Sequence, residues 1–430
     1  MKTTLAGTTL AAVGGLLIAA LAPPAAAQAG TAAHVPCAGP HGGAAGLVAA
    51  IRAANRRGGG VIELTPGCTY RLTAPDNSQP MIGGNGLPVV TSRITIEGNC
   101  ATISRSRTSK APFRIVEVAG PKGDLTLRDL TLTGGAAPFG GGIFNDEGAV
   151  TLDHSLVTRN TGQMGGGGIA SGIGPDHPND IGPIGTLTLD HSDVTDNSAL
   201  PTGGGGGILN RAGTLSAYQS RVSGNHAGNG GGIASGPGNG GVAGNSILKL
   251  KYTQVNDNTA VNAQGGPGAG GIANGGSAAL FATEVDGNRA PGGLGGGIVN
   301  HGKMTIDNSR VVGNSAPTDA TGHQGGGGGI LNADLGTPGS PIPDSGVLTI
   351  SNSQISRNSA SGNGGGIFNN LPGQLPAALT LDHSRVTGNA ADTGGGIFNF
   401  GGPVSLKHTV VRDNRPDNCR PAGSVPRCVG

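Results

Sequence analysis

The chain has no tryptophan, three tyrosines and seven phenylalanines in 430 residues, and only 12 % of it is charged. That scarcity excludes a core built on aromatic side chains, and it leaves few of the aromatic platforms on which sugars usually rest. The formal net charge is +2 and like charges never run five in a row, so nothing favours nucleic acid or an anionic membrane as a partner. No cysteine lies between Cys100 and Cys419. A disulfide framework for the middle of the chain is therefore excluded, and the cysteine spacing fits no zinc pattern.

Long apolar runs are missing too. The N-terminus, "MKTTLAGTTLAAVGGLLIAALAPPAAAQAG", has a positive Lys2, an apolar stretch from Leu10 to Leu21 and a small-residue site around Ala25-Ala26-Ala27. It falls short of the ~20 residues a spanning helix needs and is broken by Pro23-Pro24. Residues 1–29 therefore read as a removed signal peptide, and the mature protein as secreted and extracellular, with no membrane span. Export permits disulfides. Cys419 and Cys428 sit in one short tail, where a local bridge is the simplest pairing. Cys37–Cys68 is the expected bridge at the other end, with Cys68–Cys100 as its rival; either leaves one thiol over.

What the chain has is glycine, 86 residues of it, clustered rather than spread. "GNGGGIFNN" at 362–370 returns as "DTGGGIFNF" at 392–400 and as "FGGGIFNDE" at 139–147. Between such runs lies Ser/Thr-x-Val/Ile-x-x-Asn, nine times, ending at Asn160, Asn197, Asn225, Asn258, Asn288, Asn314, Asn358, Asn389 and Asn414. Apolar residues stand three and five positions before each Ser/Thr, as Leu381 and Leu379 do before Ser384. This is the period of a strand with one buried face.

A repeat of ~25 residues with two or three short strands cannot bury its own apolar side, but stacked copies can. About twelve coils at ~4.8 Å would form a parallel solenoid near ~60 Å long. Glycine supplies positive φ at the corners and lets neighbouring coils approach. The nine repeat asparagines are expected to line one corner and, like the Asn of Ile-x-Asn, to bond up and down the solenoid as an amide ladder. "AAGLVAAIRAANRRGGG" at 44–60 reads as an amphipathic helix that lids the open apolar end. The resulting division is a signal peptide at 1–29, a segment with the capping helix at 30–60, the β-helix at 61–414 and a disulfide-bearing tail at 415–430.

The helix, the first strands and the glycine-rich coils resemble the right-handed parallel β-helix proteins of the pectin-lyase-like superfamily. The GGGI and Val-x-x-Asn elements are similar to the GGAI and FxxN repeats of chlamydial polymorphic outer-membrane proteins, although this chain shows no C-terminal transporter barrel. The first resemblance implies an all-β, right-handed parallel β-helix, and it raises polysaccharide lyases and glycoside hydrolases as possible relatives.

The residues do not assemble those enzymes' sites. Asn332-Ala333-Asp334 matches one element of the polygalacturonase-like set, but no Asp-Asp pair exists and "GHQ" at 322–324 is not Gly-His-Gly. Glycosidases need paired carboxylates and lyases a calcium cage with an Arg or Lys base. Asp153-His154 and Asp190-His191 should fall on adjacent coils, where the four side chains could hold a metal. Asp382-His383 repeats the pair, but because the same two positions hold Lys407-His408, Asp307-Asn308 and Lys251-Tyr252 elsewhere, repeat inheritance is the preferred account and no cofactor is expected. The leading reading is a non-catalytic protein presenting a long surface to a polysaccharide or a cell-surface protein.

One row gives that surface a location. The residue between Ile and Asn/Ser should point outward, yet it is apolar in every coil, ending with Leu331, Phe368 and Phe398. Either loops such as 333–346 and 370–376 cover this row, or it is a contact surface.

Overall fold

The computed structural model describes residues 32–172, 185–236, 246–261, 268–334 and 346–428. The expected signal peptide at 1–29 and most of the variable loops at 172–185 and 333–346 lie outside the described residues.

Each repeat lays down the same strands. In Val347–Ser351 the alternation buries Leu348 and Ile350 and turns Thr349 toward solvent. A left-handed residue, Asn352 (φ 49°), makes a corner before the second strand, Gln354–Ser356. Arg357 (φ 54°) turns the chain again into the short strand Ser359–Ala360, and the glycines at 364–366 deliver it to a fourth strand, Ile367–Asn369. Each strand pairs in parallel with its counterpart one coil on, Val347 opposite Ala378 and Ile367 opposite Ile397.

Stacking yields a broad sheet of 23 strands, a narrow sheet of 11 and shorter sheets at the corners. The fold is a right-handed parallel β-helix, the hand that parallel crossovers adopt. One continuous apolar core runs from Val35 to Val425 along its interior. Isoleucine from the narrow sheet, such as Ile367, faces leucine and valine from the broad one.

Local chemistry covers the first coils and, at the other end, the edge of the narrow sheet. The helix Gly43–Arg57 buries Leu47, Ile51 and Ala54 against the first coils, and Gly58 (φ 82°) ends it. Cys37 bridges Cys68, which leaves Cys100 as the exposed free thiol. At the other end Cys419 bridges Cys428, and Cys419–Arg420 adds a strand to the narrow sheet beside Ile397 and Phe398.

The glycine run has two separate causes. Gly364 (φ 71°) occupies a backbone region that side chains resist. Gly366 does not; there a Cβ would lie 2.6 Å from the carbonyl oxygen of Gly396 on the next coil. One glycine turns the chain, and its neighbour lets the coils touch.

Candidate functional site

The repeat asparagines bond to one another continuously along the inside of the coil. The backbone N–H of Asn288 donates to Asn314 Oδ1 (3.0 Å), and its Nδ2 donates to the same oxygen (2.9 Å) and to Val255 O (2.8 Å). Its own Oδ1 accepts both corresponding bonds from Asn258 at 3.0 Å. The same bonds link Asn160, Asn197, Asn225 and Asn258 below, and Asn314, Asn358, Asn389 and Asn414 above. Two further columns accompany this amide ladder, and only the first escaped the sequence reading. The Ser/Thr that opens each motif caps the neighbouring coil, as where Ser155 N donates to Ser192 Oγ (3.0 Å). The Asn of Ile-x-Asn makes a second amide column, with Asn300 Nδ2 on Asn332 Oδ1 at 2.8 Å. Asn332, the one match to a polygalacturonase element, is therefore a fully buried rung.

The apolar row outside the narrow sheet is not an open surface. Leu331 is fully buried and Phe368 is 6 % exposed; only Phe398 is half-buried, its ring edge-on to Phe368 at 5.4 Å. Part of the cover comes from chain entering the glycine turn. Leu294 packs on the cluster, and a Cβ at Gly326 would lie 2.9 Å from Phe368 Cδ1. Leu371 closes the other side. The contact-surface expectation is corrected at Leu331 and Phe368: the row is a second, smaller core.

The broad sheet carries the exposed counterpart. Its corner residue is left-handed in coil after coil, including His154 (φ 49°), His191 (φ 48°), Tyr252 (φ 53°) and His383 (φ 45°). That inserted residue interrupts the alternation, so the last strand residue and the corner residue both face solvent before the buried Ser/Thr. Two adjacent outward columns result, running parallel to the solenoid axis.

Asp153, His154, Asp190 and His191 lie together on this ridge but do not converge. His154 Nδ1 bonds its own Asp153 at 2.6 Å and His191 Nδ1 bonds its own Asp190 at 2.7 Å. The two imidazoles stack flat, 4.9 Å apart at 1°. Arg128 holds Asp153 at 3.2 Å and Glu97 at 2.8 Å. The Asp153 carboxylate accepting from Nδ1 raises the His154 pKa above its ordinary value. The four side chains form two in-register pairs, without a shared centre.

The ridge continues as a ladder of rings. Beyond His191 come Tyr218, Tyr252 and Phe281 on successive coils, each ring edge-on to the last at 5.8 Å. They are 40 %, 48 % and 36 % exposed. The rings alternate between the two columns, since Tyr218 and Phe281 share a register with Lys251, while Tyr252 is the corner residue beside it. Lys251 Nζ stands 5.3 Å from the Tyr252 ring centre and within 6 Å of the other two. An open depression beside the ladder is lined by Asp193, Gln219, Ser220, Arg221, Tyr252 and Gln254. Arg221 donates to Asp193 across it at 3.1 Å.

Bulky residues seldom adopt φ near that of Tyr252, where asparagine costs less. Composition concealed this site, because few aromatics in total still suffice when the repeat puts them in one file. The Tyr-x, x-Tyr, Phe-x alternation at the positions preceding Ser/Thr is the signal that would have found it.

No protein-family model and no curated protein matches the sequence. Among solved structures, the chain is similar to the A-modules of two mannuronan C-5 epimerases of Azotobacter vinelandii. The AlgE4 module aligns over 90 % of this chain and 95 % of its own at 16 % identity and a TM-score of 0.47. The AlgE6 module aligns over 85 % and 94 %, at 16 % identity and a TM-score of 0.44.

Proposed function

We propose that this is an exported, non-catalytic binding protein that holds an extended polysaccharide along the ring ladder of the broad sheet. The carrying observation is the file of exposed rings Tyr218, Tyr252 and Phe281 beside a depression of hydrogen-bonding side chains. Pyranose rings present apolar C–H faces that stack on aromatic faces, and their hydroxyls bond to amides, carboxylates and guanidinium groups. One ring per coil, with successive centres 5.8 Å apart, spaces the platforms on the scale of single sugar units. Export by a signal peptide at 1–29 fits the two disulfides, and no described helix is long and apolar enough to cross a membrane. The division into a capping segment at 30–60, a β-helix at 61–414 and a tail at 415–430 belongs to the same reading.

A glycan array run beside a reducing-sugar release assay tests it. Retention of a polysaccharide without release, lost in Tyr252→Ala with Phe281→Ala, is the expected result. Release of oligosaccharide would replace this reading by a lyase or hydrolase. Capture of a cell-surface protein with no glycan retained would move it to a protein partner.

A further inference from the structure

A second cluster on the same ridge, at its C-terminal end, differs from the first in how its groups meet. Asp382 and His383 occupy the last strand position and the corner of one coil, and Lys407 and His408 the same positions of the next. Here one carboxylate oxygen serves both imidazoles: Asp382 Oδ1 lies 2.9 Å from His383 Nδ1 and 3.5 Å from His408 Nδ1. The donor atoms of the three residues all fall within 4.8 Å of one another. The rings lie 4.5 Å apart and are tilted by 25°, so their in-plane lone pairs lean out of parallel. At the N-terminal cluster the tilt is 1° and Arg128 occupies Asp153. Among the described residues, the ion pairs of Asp382 are with these two imidazoles alone.

The geometry points to a surface site for a borderline divalent d-block cation, zinc being the best match, held by Asp382, His383 and His408 with water completing the shell. Two imidazoles and one carboxylate suit Zn²⁺, whereas Ca²⁺ and Mg²⁺ take oxygen ligands. The backbone sets up the pair, because His383 N donates to Lys407 O (3.1 Å) and both corner residues have φ of 45°. Lys407 is the opposing charge in register, and its side chain is exposed and can extend away. Exposed histidines need only small rotations to bring both nitrogens to one ion. The cation would join the final broad-sheet coil to its single neighbour in that sheet, holding the end of the rod against fraying.

Isothermal titration of the full chain with zinc chloride at pH 7.5, after dialysis against chelator, tests the site. One saturable event near one ion per chain is expected, together with a rise in Tm that chelator reverses. His408→Gln should weaken binding at least ~10-fold by removing one of three protein donors, and should abolish the zinc-dependent rise while leaving the metal-free Tm unchanged. His191→Gln should change neither. Zinc binding that survives His408→Gln, or that is lost in His191→Gln, would overturn the assignment, as would the absence of saturable binding. Glycan retention is read separately, so failure here leaves the ring ladder untouched.

Discussion

Two rows of side chains leave the coil on opposite sides, and they meet opposite fates. On the narrow sheet the alternation is strict, one outward residue per coil, and the chain between the asparagine corner and the glycine turn has slack enough to lie over it. Gly326 and Leu294 press on Phe368 and its neighbours in this way. On the broad sheet the left-handed corner pushes out two consecutive residues, and both flanking strands continue in the plane of the sheet. No described segment covers Tyr218, Tyr252 or Phe281. An outward apolar residue therefore marks a surface only where the connecting chain cannot return to it. The same side-chain chemistry makes a satellite core in one place and a platform in the other.

The comparison can be broken at the frame both rows share. Asn288→Leu removes a side chain that donates two bonds and accepts two, and leaves buried partners unpaired. The expected loss is at least ~3 kcal/mol, read by urea unfolding. A loss under ~1 kcal/mol would mean that the amide column is not holding the corner.

Next in size is the covered row. Phe368→Ala should cost ~2 kcal/mol, below the range for a large core, because its cluster is small. The bare row should behave differently. Tyr252→Ala should change stability by less than ~0.5 kcal/mol while abolishing glycan retention. Equal losses for the two substitutions would erase the distinction between roof and platform.

The smallest effect is electrostatic. The bond from His154 Nδ1 to Asp153, then the neighbouring carboxylates Asp129 and Asp190, raise the His154 pKa above 6.5. Its folded value exceeds its unfolded one, so the contribution to stability is complete below 6.5 and is lost as pH rises through the raised value. Asp153→Asn should lower the His154 midpoint in an NMR titration. An unmoved midpoint would show that the pair does not form in solution.

The fold was legible because its determinants are local and repeated. Leu-x-Leu before Ser, and Ile-x-Asn after glycine, each state a direction, and nine copies leave no other way to bury them. The Asn160-to-Asn414 column could be read from spacing alone. The site was not legible by the same means. Whether Phe368 is roofed depends on where Leu294 and Leu371 travel, which no period encodes. Tyr218, Tyr252 and Phe281 looked like isolated residues of unlike motifs, since they alternate between two columns that only the left-handed corner makes adjacent. The Asp153–His154 and Asp190–His191 pairs lie in register on adjacent coils, but the flat stacking of their rings is a matter of rotamers that spacing does not encode.

The last coil also bears on how these rods meet one another. Cys419–Arg420 occupies the outer edge of the narrow sheet. On the broad sheet, Val404–Lys407 and Val410–Arg412 each have a neighbour on one side only among the described residues. Their free backbone groups are a template on which another chain's strand could grow. Head-to-tail growth is hindered at the receiving end, where the helix Gly43–Arg57 sits across the first coils. That leaves tail-to-tail docking, which would bring Lys407 and Arg412 of one rod toward the same charges on the next. Like charges at Lys407 and Arg412 thus disfavour strand pairing between two copies along the edge that the tail does not reach.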